Sequence, residues 1–419
     1  MRIDDVPLLE GRREFTIALV LWSVLFLAHL AWIHRSYTRF VDRPFAYLQG
    51  TVVQVYPPRR GHDSRTLLKI KADDGLYFYL RTSRTDLHSG ERLRLQIFPR
   101  NLGFFSYLKG PYLPGRIKEI YPAKANLGSR LRSYINRQHL QADAAAFYRA
   151  IFFADPIDRK LHEKISALGA GHLVALSGLH LSILWGGLFL LLTPLYRLFQ
   201  TRYFPWRYDL IDLGSFTLLL LAGYLWLTGP PPSLLRSYTM LSIGWAALLL
   251  GIELLSFTFL GVVTALLLLY DPRLALSLGF WLSVSGVFYI YLLLRYWGER
   301  SLRLFTVLIL PVGLFLLMMP LGHSIFPIVS PWQGLSPLLS IIFPFFYALE
   351  ILLHLVGEGG VFDSALEWLW ALPQSLELRP LPPGFLLFYI PLSLLSVRYR
   401  WAFVLLLGVA IGVGVWLYA

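Results

Sequence analysis

The sequence contains no cysteine. That excludes disulfides, thiolate zinc sites, cysteine-ligated iron–sulfur clusters and a cysteine nucleophile. Charge is also scarce. Charged residues make up 15% of the 419 residues while hydrophobic ones reach 56%, against roughly 25% charged in an ordinary soluble protein. Mean hydropathy is +0.56. A soluble enzyme, a disordered regulator and a secreted disulfide scaffold are therefore excluded, and a chain that crosses a membrane several times is expected. There is no GxxxxGK[ST] motif, so ATP hydrolysis by a P-loop is excluded. HExxH is missing as well, and no GxGxxG precedes a helix.

The charge that is present is concentrated. The net charge is +13, and residues 34–165 carry all of the excess; all seven lysines lie between Lys69 and Lys164. A basic segment beside a membrane points to a polyanion, either nucleic acid or anionic lipid. Phe15 to Ile33 is an apolar run long enough to span a bilayer. It lacks a small-residue cleavage site and reads as an anchor.

Residues 44–122 change character. Short alternating runs separated by turn residues predict five strands: 50–56, 65–72, 76–81, 92–98 and 116–121. Around Asp73-Asp74-Gly75, a two-residue turn would mix polar and apolar side chains on both faces. A three-residue loop with Gly75 left-handed instead pairs Ile70 with Phe78 and Leu68 with Leu80 on one face. Lys71 then meets Tyr77, and Lys69 meets Tyr79, on the other. Leu93, Leu95 and Ile97 sort inward, Arg92 and Arg94 outward. Such a domain suits an OB-like barrel. Its outward residues Lys69, Lys71, Tyr77, Tyr79, Arg81, Arg92 and Arg94 are candidates for binding single-stranded DNA through stacking and phosphate charge; the other reading is an ordinary solvated sheet face.

Residues 125–165 predict amphipathic helices on the membrane surface. From 166 onward the chain is almost continuously apolar, with spans expected near 171–199, 210–228, 233–251, 255–270, 277–297, 303–321, 336–356, 384–397 and 401–418. The breaks at 228–233 and 327–331 are the sharpest. Interrupted backbone at membrane depth survives only inside protein or along a watery cavity, which favours a channel or transporter. The expected fold class is thus a polytopic α-helical membrane protein with a small all-β domain after the first transmembrane helix. Its parts are an anchor (1–35), a basic OB-like domain (36–124), surface helices (125–165) and a multi-helix membrane domain (166–419).

The segment Gly171-His172-Leu173-Val174-Ala175-Leu176-Ser177-Gly178-Leu179-His180 resembles the HLLAISGLH signature of the ComEC family of competence-type inner-membrane DNA uptake proteins. Three further stretches resemble that family's elements in the same order. They are Thr228-Gly229 with Pro232-Ser233-Leu234-Leu235-Arg236-Ser237 and Met240, Asp271-Pro272 with Ser277 and Phe280-Trp281-Leu282-Ser283, and Ser330-Pro331 with Leu335-Ser336-Pro337-Leu338 and Pro344. Leu338-Leu339-Ser340 stands where the family's late element carries asparagine. The chain resembles a short form without the C-terminal metallo-β-lactamase-like domain of many members. It holds no HxHxDH cluster, so no nuclease or metal site is carried over and no cofactor is expected.

The resemblance implies a channel that passes single-stranded DNA across the bacterial cytoplasmic membrane during natural transformation, with a separate motor, DNA receptor and nuclease as partners. His172, Ser177, Gly178, His180, Arg236, Asp271 and Ser283 are candidates for the translocation path. An intramembrane histidine or arginine is costly and usually functional; the alternatives are interhelical hydrogen bonds for His172 and His180, snorkelling for Arg236 and helix capping for Asp271. Glu253 and Glu350 could face the bundle or the interface. Arg12 and Arg13 favour an inside N-terminus, which puts the β domain on the extracytoplasmic side. A permease for a small anionic solute and a membrane scaffold that forms no pore remain as other classes.

Overall fold

The computed structural model of the chain describes residues 11–56, 65–99, 101–122, 127–228, 232–252, 254–372 and 376–418. Glu253 and the Gly229–Pro231 part of the first break lie outside these residues. The chain divides into two compact units. One comprises Leu9–Ser129 together with Ala265–Leu278; the other includes Arg130–Thr264 and Gly279–Ala419.

The first unit opens with α1 (Arg12–Val41). Five strands follow: β1 (Ala46–Tyr56), β2 (Thr66–Ala72), β3 (Tyr77–Thr82), β4 (Arg92–Ile97) and, after α2 (Phe104–Lys109), β5 (Gly115–Tyr121). They form one antiparallel sheet in the order β3-β2-β1-β4-β5. The β2–β3 register is the sorted one expected from sequence. Ile70 faces Phe78, Leu68 faces Leu80, Lys71 faces Tyr77 and Lys69 faces Tyr79. Gly75 adopts φ +86°, a conformation that costs a residue with a Cβ. The apolar set is fully buried, with Leu68, Ile70, Phe78, Leu93, Leu95 and Ile97 all 0% exposed.

A closed barrel is not formed among the described residues. The edge strands β3 and β5 share no ladder; β3 makes one isolated parallel bridge, Tyr79 to Tyr112 in the segment before β5. The base of α1 belongs to this core, where Ile33 is buried with Leu30, Tyr37 and Phe40 packed beside it. Higher on α1, Trp22 Nε1 donates to the Ala265 carbonyl at 2.7 Å. His29 Nδ1 lies 2.8 Å from the Leu269 carbonyl. The anchor and the sheet are therefore one packed body, not an anchor with a domain hung from it.

The second unit begins with α3 (Leu127–Asn136), α4 (Ala142–Phe153), α5 (Arg159–Ala167) and the short α6 (Gly171–Val174). Of these, α4 is not a surface helix. Eight of its twelve residues are buried, and its Phe147, Tyr148 and Ile151 share a core with Phe343 and Tyr347. Its sequence, rich in alanine and aromatics, has too few charges to offer water a face.

The remaining helices are α7 (Gly178–Tyr203), α8 (Asp209–Thr228), α9 (Pro232–Leu249), α10 (Phe257–Tyr270), α11 (Leu278–Trp297), α12 (Leu302–Leu304), α13 (Leu310–Ile325), α14 (Ser336–Val356), α15 (Asp363–Trp370), α16 (Phe385–Leu395) and α17 (Arg400–Tyr418). A π-helical stretch, Phe305–Ile309, joins α12 to α13. The two-residue strands β6 (Ile328–Val329) and β7 (Glu377–Leu378) pair antiparallel. Among the described residues seven helices are long and apolar enough to cross a membrane, and Leu234–Leu249, Phe257–Tyr270 and Phe385–Leu395 are apolar but shorter. This is a multi-pass membrane protein. Large apolar side chains on these helices, such as Leu190, Leu191, Trp226 and Leu387, are more than 70% exposed. Lipid would cover them where water could not.

Candidate functional site

The span expected near 171–199 is interrupted close to its start. After α6 the backbone extends at Ala175 and Ser177 takes the N-cap of α7 with extended φ/ψ. Hydropathy alone favours one helix here. Ser177 wins because its side chain and that of His180, at the third helical position, close a reciprocal capping box. Ser177 N–H donates to His180 Nδ1 at 3.2 Å, and Ser177 Oγ lies 3.1 Å from the same nitrogen. An Nδ1 that accepts leaves the neutral ring's proton on Nε2. That Nε2 is buried and lacks a hydrogen bond of normal geometry, although the Leu173 carbonyl is within electrostatic reach of the ring. The imidazole stands edge-on to Phe343 and Tyr347 of α14, with ring centres 5.0 and 4.9 Å away.

Other motif residues gather around this break. Gly178 opens α7, and a Cβ there would reach Ser237 Oγ of α9 at 4.0 Å. Arg236, the neighbour of Ser237, is half-buried. Its Nε has no hydrogen-bond partner among the described residues, and its guanidinium lies 6.0 Å from the Phe280 ring of α11. His172 Nε2 is 3.1 Å from Ser340 Oγ. Ser336 Oγ donates to the Gly169 carbonyl at 2.9 Å. Gly169 has φ +66°, and a Cβ on it would stand 3.0 Å from Ser336 Cβ. The first, second and fourth resembling stretches, with Phe280 of the third, thus meet in one unit.

Two candidates stand differently. Asp271 belongs to the first unit, where its Oδ1 accepts from Arg273 N–H at 3.0 Å and caps a 3-10 turn. The capping alternative describes it. Ser283 is half-buried on α11.

On the sheet, residues of all five strands line up in one row across the outward face: Tyr77, Lys71, Thr51, Arg92 and Tyr121. Lys69 and Lys71 sit 5.8 and 5.5 Å from the Tyr77 ring, and Arg81 sits 5.2 Å from that of Tyr112. These are cation–π distances. Burial pulls the Lys69 ammonium below the ordinary lysine range. Arg92 and Arg94 are already paired, with Asp73 at 2.5 Å and Glu119 at 3.0 Å. Glu119 also accepts from Tyr121 OH, which holds its carboxyl below the usual range. The lysine–tyrosine half of the face is therefore the less neutralised half.

Sequence reasoning missed a second assembly. His139, in the loop after α3, has Nδ1 at 2.9 and 3.1 Å from the Asp363 oxygens. Its Nε2 is 3.1 Å from His354 Nε2. His354 Nδ1 is 2.7 Å from the Glu350 carbonyl and 3.1 Å from Glu350 Oε2. Tyr148 of α4 donates to Glu350 Oε1 at 2.8 Å and stacks on His139 at 4.5 Å. Glu350 is completely buried, and His139 and His354 are 8% and 5% exposed. Burial lowers the pKa of His139 while Asp363 opposes that shift. Only the Glu350–His354 spacing of four, one helix face, was readable in sequence. Among the described residues no group of three or more His, Asp or Glu side chains is arranged to hold a metal ion.

A third buried group centres on Gln333. Its Nε2 donates to the Ser166 and Ile328 carbonyls, and its Oε1 accepts from Tyr418 OH at 2.9 Å and faces His323 Nε2 at 3.3 Å. It ties the break at 327–331 to α5 and α17.

Residues 154–417 match the family described as "Competence protein". ComE operon protein 3 of Bacillus subtilis is 32% identical over 152 residues, covering 36% of this chain and 18% of that protein. Recombination protein 2 of Haemophilus influenzae is 26% identical over 217 residues, covering 49% of this chain and 26% of that protein. The matched part is thus well under half of either relative. No solved structure matches the chain.

Proposed function

The chain belongs to the competence protein family, and on that premise we propose that its second unit is the route by which a single DNA strand crosses the bacterial cytoplasmic membrane during transformation. One observation supports this most. His180 Nε2 and Arg236 Nε, both buried and both in family motifs, make no hydrogen bond of normal geometry among the described residues, and His180 Nε2 has only the Leu173 carbonyl within electrostatic reach. A buried donor without an acceptor costs about 1–3 kcal/mol, so a fold that keeps two beside each other's motifs is suited to an acceptor that arrives from outside. Phosphate oxygens are such acceptors, and the arginine fork suits them in particular. A bare phosphate cannot enter hydrocarbon. Broken helices such as α6–α7 supply polar backbone along a wet path.

The sheet would be the receiving platform, an OB-like surface on the extracytoplasmic side. The Lys69, Lys71, Tyr77 and Tyr79 face offers charge for phosphate, and stacking worth roughly 1–3 kcal/mol per base. An inside-negative potential opposes each entering charge by about 2.3 kcal/mol per 100 mV. A motor would supply the pull, with a DNA receptor and a nuclease as further partners.

The test is His180→Ala and Arg236→Ala in a transformable host, with membrane accumulation measured. Each is expected to leave surface DNA binding intact and to abolish internalisation. Wild-type internalisation by an abundant variant overturns the role of that residue. Intact internalisation in both favours a scaffold that forms no pore.

A further inference from the structure

The Asp363–His139–His354–Glu350 chain has no part in the proposed strand path, and its hydrogen bonds can be counted. Among the described residues His139 Nδ1 faces the Asp363 carboxylate, at 2.9 and 3.1 Å, and an acceptor there requires that it carry a proton. His354 Nδ1 faces the Glu350 carbonyl at 2.7 Å and a Glu350 carboxylate oxygen at 3.1 Å. Both are acceptors, so it carries a proton too. Two neutral imidazoles have then used both of their protons. Their Nε2 lone pairs would confront each other at 3.1 Å, a hydrogen-bond distance with nothing to bond. Moving the protons along the chain does not help, because three links need three protons and two neutral rings bring two.

We propose that His139 and His354 form a proton-binding site, which takes up one proton and shares it across Nε2···Nε2 between the carboxylates of Asp363 and Glu350.

The proton comes from hydronium in the solvent, whose O–H bond breaks to leave water. It forms one N–H bond, breaks none within the chain, and changes the cluster from two negative charges to one. Asp363, with a 15% exposed side chain, is the entry end, while the His139 side chain is fully covered. The groups facing the pair come from four elements: His139 after α3, Tyr148 on α4, Glu350 and His354 on α14, and Asp363 on α15. Tyr148 OH satisfies the second Glu350 oxygen, which leaves the carboxylate free to face the imidazole. Gly359 backs the pair at a position where a Cβ would stand 2.5 Å from His354 Nε2. Loaded, the site ties the end of α14 to the start of α15 and to the loop after α3. Unloaded, that tie is two opposed lone pairs between the partly exposed Asp363 carboxylate and the buried Glu350 carboxylate.

The test is solid-state NMR of the full-length chain, 15N-labelled at histidine, in lipid bilayers at about pH 5 and about pH 9, on either side of the histidine range. One 15N–15N correlation between two imidazole rings is expected at the acid pH, lost at the alkaline pH and lost in His139→Asn. Four results overturn the site: no such correlation at either pH, a correlation indifferent to pH, one that survives in His139→Asn, or one removed by a chelator at constant pH. The wild-type comparison decides even if the variant fails to fold. No readout involves DNA, so the outcome is independent of the strand path.

Discussion

Ser177 and His180 cap the same helix reciprocally: the serine amide donates to the imidazole at 3.2 Å, and in doing so fixes which ring nitrogen carries the proton. The cap and the N–H that it leaves on Nε2 are therefore one device, and they can be separated. His180→Gln keeps an acceptor at the third helical position, a normal partner in a capping box, but removes the ring N–H. His180→Gln is expected to unfold within a degree or two of wild type and to deliver no strand. His180→Ala loses the cap as well, about 1 kcal/mol. Thermal unfolding of the solubilised protein alongside a delivery assay checks both. Strand delivery by a stable His180→Gln would mean that the histidine serves only the cap.

Arg236 separates charge from geometry. Arg236→Lys preserves the cation and loses the fork that binds two phosphate oxygens together. Delivery is expected to fall at least tenfold, the scale of about 1.4 kcal/mol at the transition state. A Lys variant equal to wild type would show that only the charge matters.

Gly169 tests the junction between the family motifs. Its φ of +66° is a left-handed conformation that costs a residue with a Cβ about 1–2 kcal/mol. Its Cβ would also press on Ser336 Cβ at 3.0 Å and the Gln333 carbonyl at 3.2 Å. Gly169→Ala is expected to lower the unfolding temperature and to weaken delivery together. An unchanged melt would contradict the packing described here.

The pH behaviour of Lys69 has a definite sign. Burial lowers its pKa in the folded chain below the ordinary 10.5, so the charged form is disfavoured by folding. That penalty is present at neutral pH and fades as pH rises from the lowered value through 10.5. Lys69→Met is expected to stabilise the sheet unit at neutral pH, by an amount that shrinks in alkaline buffer. It should also weaken single-strand binding by the full chain and flatten its salt dependence by about one contact. Melts across the pH range and binding against salt read the two effects separately.

The sheet was legible because its code is local. Period-two alternation and one left-handed Gly75 leave a single register that buries Leu68, Ile70, Phe78 and Leu80 together. The membrane part was legible in kind but not in detail. Hydropathy cannot see that Ser177 ends one segment and starts another, because a cap is worth about 1 kcal/mol, far less than the apolar signal around it. It also took α4 for a surface helix, since the face that Phe147 and Tyr148 bury is supplied by α14, some 200 residues later in the chain. The motif stretches pointed to His180 and Arg236 singly, and the structure brings their neighbours together while leaving Asp271 in the other unit. The His139–His354 pair had no signal at all beyond Glu350 and His354 four apart, because its members lie 215 positions from each other.

The most direct measurement follows labelled duplex DNA into a transformable host from which this chain has been deleted. Surface-bound DNA, nuclease-protected DNA and cytosolic single strand are scored separately. The account predicts that DNA is still bound and still becomes protected, while no single strand reaches the cytosol. Cytosolic delivery at the wild-type level would contradict it, because the strand would then have another way across the membrane.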